Sequence, residues 1–305
     1  MIRRIGTAMV AVLVLLIAAV GVYAADARRE HDNAPITIRA VPPVSGVANY
    51  QPETWKDTVF VLLIGSDERA GLGGSRGDAM HVIGLNAGAG RATILNLPRD
   101  TWVDIPGRRQ GRINESYHEG DAQRSAETVR RLTGAPISYV ITTTFVGFRS
   151  MVDGLGGVTV DVPFLMSDPF SGAAFNPGVQ HMNGEQALAW SRNRHIPDGD
   201  IRRTANQGQL IVHALSDLRG KGTSATDVIR RLDTLYRNVK TIGIGPIELF
   251  RLGRAALAID PGNVRNYTMP ARVGTVGRAS VVFAKQPEAG ALFADFADDA
   301  ILQNH

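Results

Sequence analysis

The sequence predicts an α/β fold: a central mixed β-sheet covered by helices on both faces, preceded by one N-terminal transmembrane helix. Three observations point there. Short runs rich in Val and Ile, such as TVFVLLIGSD and ATILNLPRD, alternate with longer stretches of helical periodicity, the pattern of strands and helices packed in layers. An uncharged apolar run from Ile5 to Ala25 precedes them all. The length, 305 residues, suits one large domain with an appendage.

The appendage comes first. At a rise of about 1.5 Å per residue, a helix over 5–25 crosses a hydrocarbon core of about 30 Å. Arg3 and Arg4 on the short side place that end in the cytoplasm and the rest outside, although Arg28 and Arg29 beyond the span reduce the asymmetry. A cleaved signal peptide is the rival, since Val22-Tyr23-Ala24 has the small-x-small form. The apolar run exceeds the roughly 7–15 residues of a signal core, which favours a retained anchor. The expected division is a cytoplasmic stub over 1–4, an anchor over 5–25, a polar, proline-dotted extracytoplasmic linker over 26–57 and a folded domain over 58–299. The expected location is therefore the cell membrane, single-pass, with the folded domain outside.

Within that domain TVFVLLIGSD, MHVIGLNA and ATILNLPRD read as strands. AQRSAETVRRLTG follows as an amphipathic helix closed by Gly134. ISYVITTTF and VTVDVP are further strands, with a helix around FVGFRSMVDGLGG between them. Helical patterns cover 204–218, 225–240 and 245–259, and VRNYTMP and ASVVFAK supply late strands. No internal repeat is present.

Composition removes several classes of function. With 33 basic and 29 acidic side chains the net charge is +4, too mild for a nucleic-acid binder. The absence of cysteine removes disulfides, zinc thiolates and thiol catalysis. The seven histidines lack metal-binding spacing, and no P-loop or G-x-S-x-G elbow occurs. His81 reads as a packed or edge histidine, and Trp102 and Trp190, each beside a charged cluster, read as packing residues before they read as sugar-stacking ones. The apolar stretches FVGFRSMVDGL and IGPIELFRLGRAALAI read as core before they read as a lipid slot.

Three charged clusters carry the chemistry. One strand runs out at Gly65 into Asp67, Glu68 and Arg69, then a glycine-rich loop, then Arg76 and Asp78. A second ends on Pro98, Arg99 and Asp100. WSRNRHIPDGDIRRTANQ adds Arg192, Arg194, Asp198, Asp200, Arg202 and Arg203. Ligands of layered α/β folds gather at strand ends, where charges can leave the core. Arginine forks fit phosphate oxygens, and aspartates add the carboxylates that Mg2+ uses beside substrate phosphates. The mixture suits a metal-bound phosphate or pyrophosphate. The plain alternative, solvated loop charges in local ion pairs, weakens as three clusters share one composition.

The motifs LLIGSDER, SRGDAM, NLPRDTWVDIPG, RINESY, VDGLGGVTVDVP, MNGEQALAWSRNR and DGDIRR, in that order, resemble the LytR-CpsA-Psr family over roughly residues 58 to 215. The resemblance implies a three-layer catalytic domain over 58–299. It implies a phosphotransferase that moves a glycopolymer, as glycosyl phosphate, from a polyprenyl-pyrophosphate-linked donor onto a hydroxyl of peptidoglycan, beside the cytoplasmic membrane. It also implies Mg2+, or Mn2+ in its place, at Asp67 and Asp78. Arg76, Arg99, Arg192 and Arg194 match the pyrophosphate-gripping positions, with Asp200 and Arg203 in the same pocket. Arg99, Asp100 and Asp78 are the expected catalytic set, Asp100 either orienting Arg99 or acting as base. A silent polyprenyl-phosphate binder serving as scaffold or regulator, and a hydrolase, are the alternatives. The chain departs from the family pattern at Gly77-Asp78-Ala79, where Ser-Asp-Thr is usual, and at Asn206-Gln207-Gly208, where an arginine and two glutamines are common.

Overall fold

The computed structural model describes residues 58–67, 75–220, 225–242 and 246–303. The anchor expected over 5–25 and the linker over 26–57 lie outside the described residues, as do Glu68 and Arg69. Among the described residues no helix is long and apolar enough to cross a membrane.

In chain order the first elements are β1 (Thr58–Ser66), β2 (Gly77–Asn86), β3 (Arg91–Asn96), β4 (Trp102–Val103) and β5 (Gly111–Arg112). A 3-10 segment (Ile113–Gly120) leads into α1 (Ala122–Thr133), β6 (Ile137–Thr144) and α2 (Phe145–Gly154). Then come β7 (Val158–Val162), β8 (Met166–Asp168), β9 (Ala173–Phe175), β10 (Gly178–Met182), α3 (Gly184–Arg192) and α4 (Gly199–Gly220). The chain continues through α5 (Ala225–Arg237), β11 (Lys240–Ile242), α6 (Pro246–Ala258), β12 (Val264–Thr268), β13 (Ala271–Val276), β14 (Ala279–Ala284) and α7 (Glu288–Asp299).

The central sheet has the order β11-β6-β1-β2-β3-β12. β2 is antiparallel to both β1 and β3, while β6 runs parallel to β1 and β12 parallel to β3. The sheet is mixed, and the C-terminal ends of β1, β3, β6 and β12 therefore share one edge with the start of β2. Alternation along β1 explains its nearly unbroken apolar sequence. Phe60, Leu62 and Ile64 enter a core shared with Val129 of α1 and Phe296 of α7, whereas Val59 and Val61 enter a second core with Leu252 of α6. Both faces are thus covered, the condition under which a strand carries apolar residues at every position. A third core joins β7 to α2, α3 and α4 through Val160, Val152, Trp190 and Leu210.

Helix boundaries follow local chemistry. The Asp121 side chain accepts the Arg124 N–H at 2.8 Å to cap α1, and Gly134, at φ 72°, closes it in the left-handed region. Asn183 and Gln186 cap α3 reciprocally, at 2.9 and 3.0 Å. Two differences from the sequence reading matter for the site. The helix expected over 204–218 begins at Gly199, so Asp200 and Arg203 stand in its first turns, where Asp200 also meets the positive end of the helix. The segment expected over 225–240 splits into α5 and β11, because β11 adds an edge strand to β6 with Lys240 opposite Thr142.

Candidate active site

The end of β3 carries Arg99, and the start of β2 carries Asp78. The Arg99 guanidinium donates to Asp78 Oδ1, and its Nε lies 3.8 Å from Asp100 Oδ2 and 3.7 Å from Asp200 Oδ1. Asp200 is in turn 2.9 Å from Arg203 Nη2 and 3.6 Å from Arg194 Nε. Arg203 also donates to the Asp78 backbone carbonyl at 3.4 Å. Asp100 is shared with Arg112, at 3.5 Å. The strand ends and the α4 N-terminus thus bring Arg99, Arg194, Arg203, Asp78, Asp100 and Asp200 into one connected cluster.

The electrostatics of this cluster are unbalanced in an informative way. Burial works against the charge on Arg99, but Asp78, Asp200 and Asp100 together outweigh it and raise its pKa. Arg203, with a side chain 3% exposed, is pulled down to about 10, chiefly by burial, which the charges of Asp200 and Asp78 oppose and those of Arg99 and Arg194 reinforce. Despite these close charges, the Nε atoms of Arg99 and Arg203 and both carboxylate oxygens of Asp200 are buried without a directed hydrogen bond. Unmet donors on buried cations are costly in a protein at rest. Such a cost is offset when an anion with several acceptor oxygens enters.

Other residues singled out by sequence fall nearby but differently. Asp67 and Arg76 close a small ring, with the Arg76 N–H donating to Asp67 Oδ1 at 3.1 Å and the Asp67 N–H to the Arg76 carbonyl at 3.4 Å. Arg76 takes part through its backbone, and its side chain is exposed. Arg192, at the end of α3, lies over the Phe145 ring, 5.0 Å from its centroid, rather than among the aspartates. Trp190 is buried in the third core as expected, whereas Trp102 is only half-buried and donates to Gln110 Oε1 at 3.2 Å. Arg112 was not singled out, although it sits in the quoted RINESY motif as the second partner of Asp100.

A buried polar network behind the cluster also escaped the sequence reading. His81, 2% exposed on β2, pairs through Nδ1 with Asn96 Oδ1 at 2.7 Å. Asn96 donates to Asn266 Oδ1 at 2.7 Å, and Asn266 donates to the Ala205 carbonyl of α4 at 3.0 Å. Gly208 makes this approach feasible, since a Cβ there would overlap the amide oxygens of Asn266 and Asn96. The departure from the family pattern at Gly208 thus has a packing reason.

For a metal, Asp67 and Asp78 stand at the adjoining ends of β1 and β2, where Ser66 pairs with Gly77. Among the described residues no group of three or more His, Asp or Glu is assembled to hold an ion alone. Mg2+ bound by one or two carboxylates and completed by phosphate oxygens and water needs no such group, so these residues fit a cation arriving with its phosphate.

Known proteins resemble this chain in sequence and in fold. TagU of Bacillus subtilis, a polyisoprenyl-teichoic acid–peptidoglycan teichoic acid transferase, is 34% identical over 191 residues, 61% of this chain and 60% of that protein. The match therefore spans less than two thirds of the relative's length. The crystal structure of B. subtilis TagV is similar at a TM-score of 0.71 and 24% identity, covering 81% of this chain and 98% of that one. A LytR-Csp2A-Psr enzyme from Actinomyces oris gives a TM-score of 0.68 at 24% identity, covering 86% and 94% of the two chains. These structures establish the fold. The model of the LytR_cpsA_psr family matches residues 21–297, and the chain belongs to that family.

Proposed function

We propose that this chain is a phosphotransferase that moves a glycopolymer, as its glycosyl phosphate, from a polyprenyl-pyrophosphate carrier onto a hydroxyl of peptidoglycan. The observation that carries the reading is the cluster of buried Arg203, largely buried Arg99 and exposed Arg194 around Asp78 and Asp200, with a guanidinium donor left unmet on each of Arg99 and Arg203. A pyrophosphate supplies the acceptor oxygens that those donors lack. Membership of the family, and a relative named as a teichoic acid transferase, support the substrate class.

In this reading the acceptor oxygen attacks the phosphorus that bears the glycan. A new P–O bond forms, the bridging P–O bond breaks, and polyprenyl phosphate departs with the bond's electron pair. Arg99 and Arg203 hold the phosphoryl oxygens and stabilise the charge that grows there, since donors fixed in a buried site pay no reorganisation during the reaction. Asp78 and Asp200 keep those guanidinium groups in place. Asp100, steadied by Arg99 and Arg112, takes the hydroxyl proton. Mg2+, or Mn2+, held by Asp67 and Asp78, would supply further neutralisation of phosphate charge. In this reading the site works on the outer side of the cytoplasmic membrane, as the apolar run over 5–25 in the sequence suggests.

The test follows the lipid product. Purified full-length protein is given a short polyprenyl-pyrophosphate saccharide, with and without peptidoglycan, and release of polyprenyl phosphate is measured. Transfer predicts release that requires peptidoglycan. Equal release without it would make the chain a hydrolase, and binding without release a scaffold.

A further inference from the structure

Beyond the phosphate cluster, the turn between β8 and β9 holds Phe170 with 83% of its surface exposed. One exposed phenylalanine needs no explanation by itself. This one is built into a supported platform. Its ring lies nearly parallel to the His195 imidazole, with centroids 5.7 Å apart and planes 19° off parallel. His195 Nδ1 is fixed by Asp168 Oδ1 at 2.9 Å, and the Asp168 side chain is only 3% exposed. The same carboxylate oxygen accepts the Phe170 backbone N–H at 3.0 Å, and the Gly172 N–H closes the turn on the Asp168 carbonyl at 2.9 Å. One buried carboxylate thus holds both members of the stack. The His195 N–H donates to Asn193 Oδ1 at 2.9 Å, which ties the platform to the segment that delivers Arg194 to Asp200.

We infer that Phe170 and His195 form a sugar-binding subsite next to the phosphate cluster, taking one pyranose ring of the glycan that the reaction handles. The inference rests on the proposed transferase reading. The aliphatic C–H face of a pyranose carries slight positive charge and matches the negative face of an aromatic ring. With Nδ1 engaged by Asp168, His195 keeps Nε2 for a sugar hydroxyl. Arg194, the neighbouring residue, reaches the acid that organises the phosphate site, so a sugar on Phe170 lies at the border of that site. The ring belongs either to the donor glycan or to the peptidoglycan acceptor, and the two share this chemistry.

Binding, measured apart from turnover, tests the subsite. Full-length wild type and Phe170→Ala are titrated with three probes: a short polyprenyl pyrophosphate without sugar, the same lipid carrying a disaccharide, and a soluble peptidoglycan fragment. The substitution lies on the surface, and an unchanged melting temperature confirms an intact fold. The variant is expected to bind the sugarless lipid like wild type and to lose roughly three- to ten-fold affinity for one sugar-bearing probe, the yield of a good aromatic stack. Phe170→Trp should restore it. Loss confined to the disaccharide lipid assigns the ring to the donor, and loss confined to the fragment assigns it to the acceptor. Equal affinities of wild type and Phe170→Ala for all three probes would overturn the subsite. Failure of the transferase reading shows separately, as absence of peptidoglycan-dependent release of polyprenyl phosphate by wild type.

Discussion

Arg99 stands among three carboxylates, so its removal does two things at once. It takes a donor from the phosphoryl oxygens and leaves Asp78, Asp100 and Asp200 to repel one another. Arg99→Ala should lower the transfer rate by about 10²–10³-fold, the range for losing one preorganised charge-stabilising donor. Arg99→Lys should recover little of this, since an ammonium cannot span several oxygens as a planar fork does. Initial rates of polyprenyl phosphate release measure both. His81 gives a second prediction at this scale. Burial lowers its pKa to about 4 from 6.5, helped by the charge of Arg203 and opposed by the bond to Asn96. Between those values the unfolded chain binds a proton that the folded chain refuses, so stability falls as pH drops through 6.5 and levels off below 4. The loss is about 3 kcal/mol across that window. His81→Gln should remove this slope while changing little at pH 7.5, as read from urea midpoints. At the residue scale the sequence made Arg99, Asp78, Asp200, Arg203 and Arg194 visible, because charged residues at the ends of apolar runs stand out. Arg192 and the Arg76 side chain looked equivalent by composition, and only folding separates an arginine lying over Phe145 from one beside Asp200.

Two glycines separate the elements that hold the site from those that only hold the fold. Gly208 lets α4 settle against Asn96 of β3 and Asn266 of β12, two turns beyond Asp200. Gly84 lets β2 pass beneath α7, where a Cβ would lie 2.9 Å from Phe296 Cε2. Each replacement by alanine should cost about 1–3 kcal/mol through overpacking. Gly208→Ala should also lower the transfer rate, because a displaced α4 carries Asp200 and Arg203 away from Arg99. Gly84→Ala should leave the rate of the remaining folded protein unchanged, and thermal melts paired with rates distinguish the two. The first three strands, α1 and α2 were readable because periodicity and caps agreed. β13 and α7 were missed, the former because its sequence ARVGTV is mostly exposed and gains its order by pairing with β14. The early start of α4 was missed because DGD reads as a turn, and Asp198 and Gly199 do take positive φ before the helix proceeds.

At the scale of the whole molecule, the mixed sheet places the ends of β1 and β3, the start of β2 and the first turns of α4 at one edge, which is why distant clusters in sequence form a single cluster in space. The strand alternation announced a layered α/β fold, but strand order could not be read, since pairing depends on contacts far apart in the chain. The central claim is that this edge transfers a glycosyl phosphate to peptidoglycan. The most direct measurement incubates the full-length protein with a short polyprenyl-pyrophosphate saccharide and peptidoglycan, with and without Mg2+, and weighs the digested product by mass spectrometry. The account predicts saccharide joined to peptidoglycan through a single phosphate, formed with Mg2+ and lost in Arg99→Ala. Free saccharide phosphate in place of that adduct, or an adduct formed equally by Arg99→Ala, would contradict it.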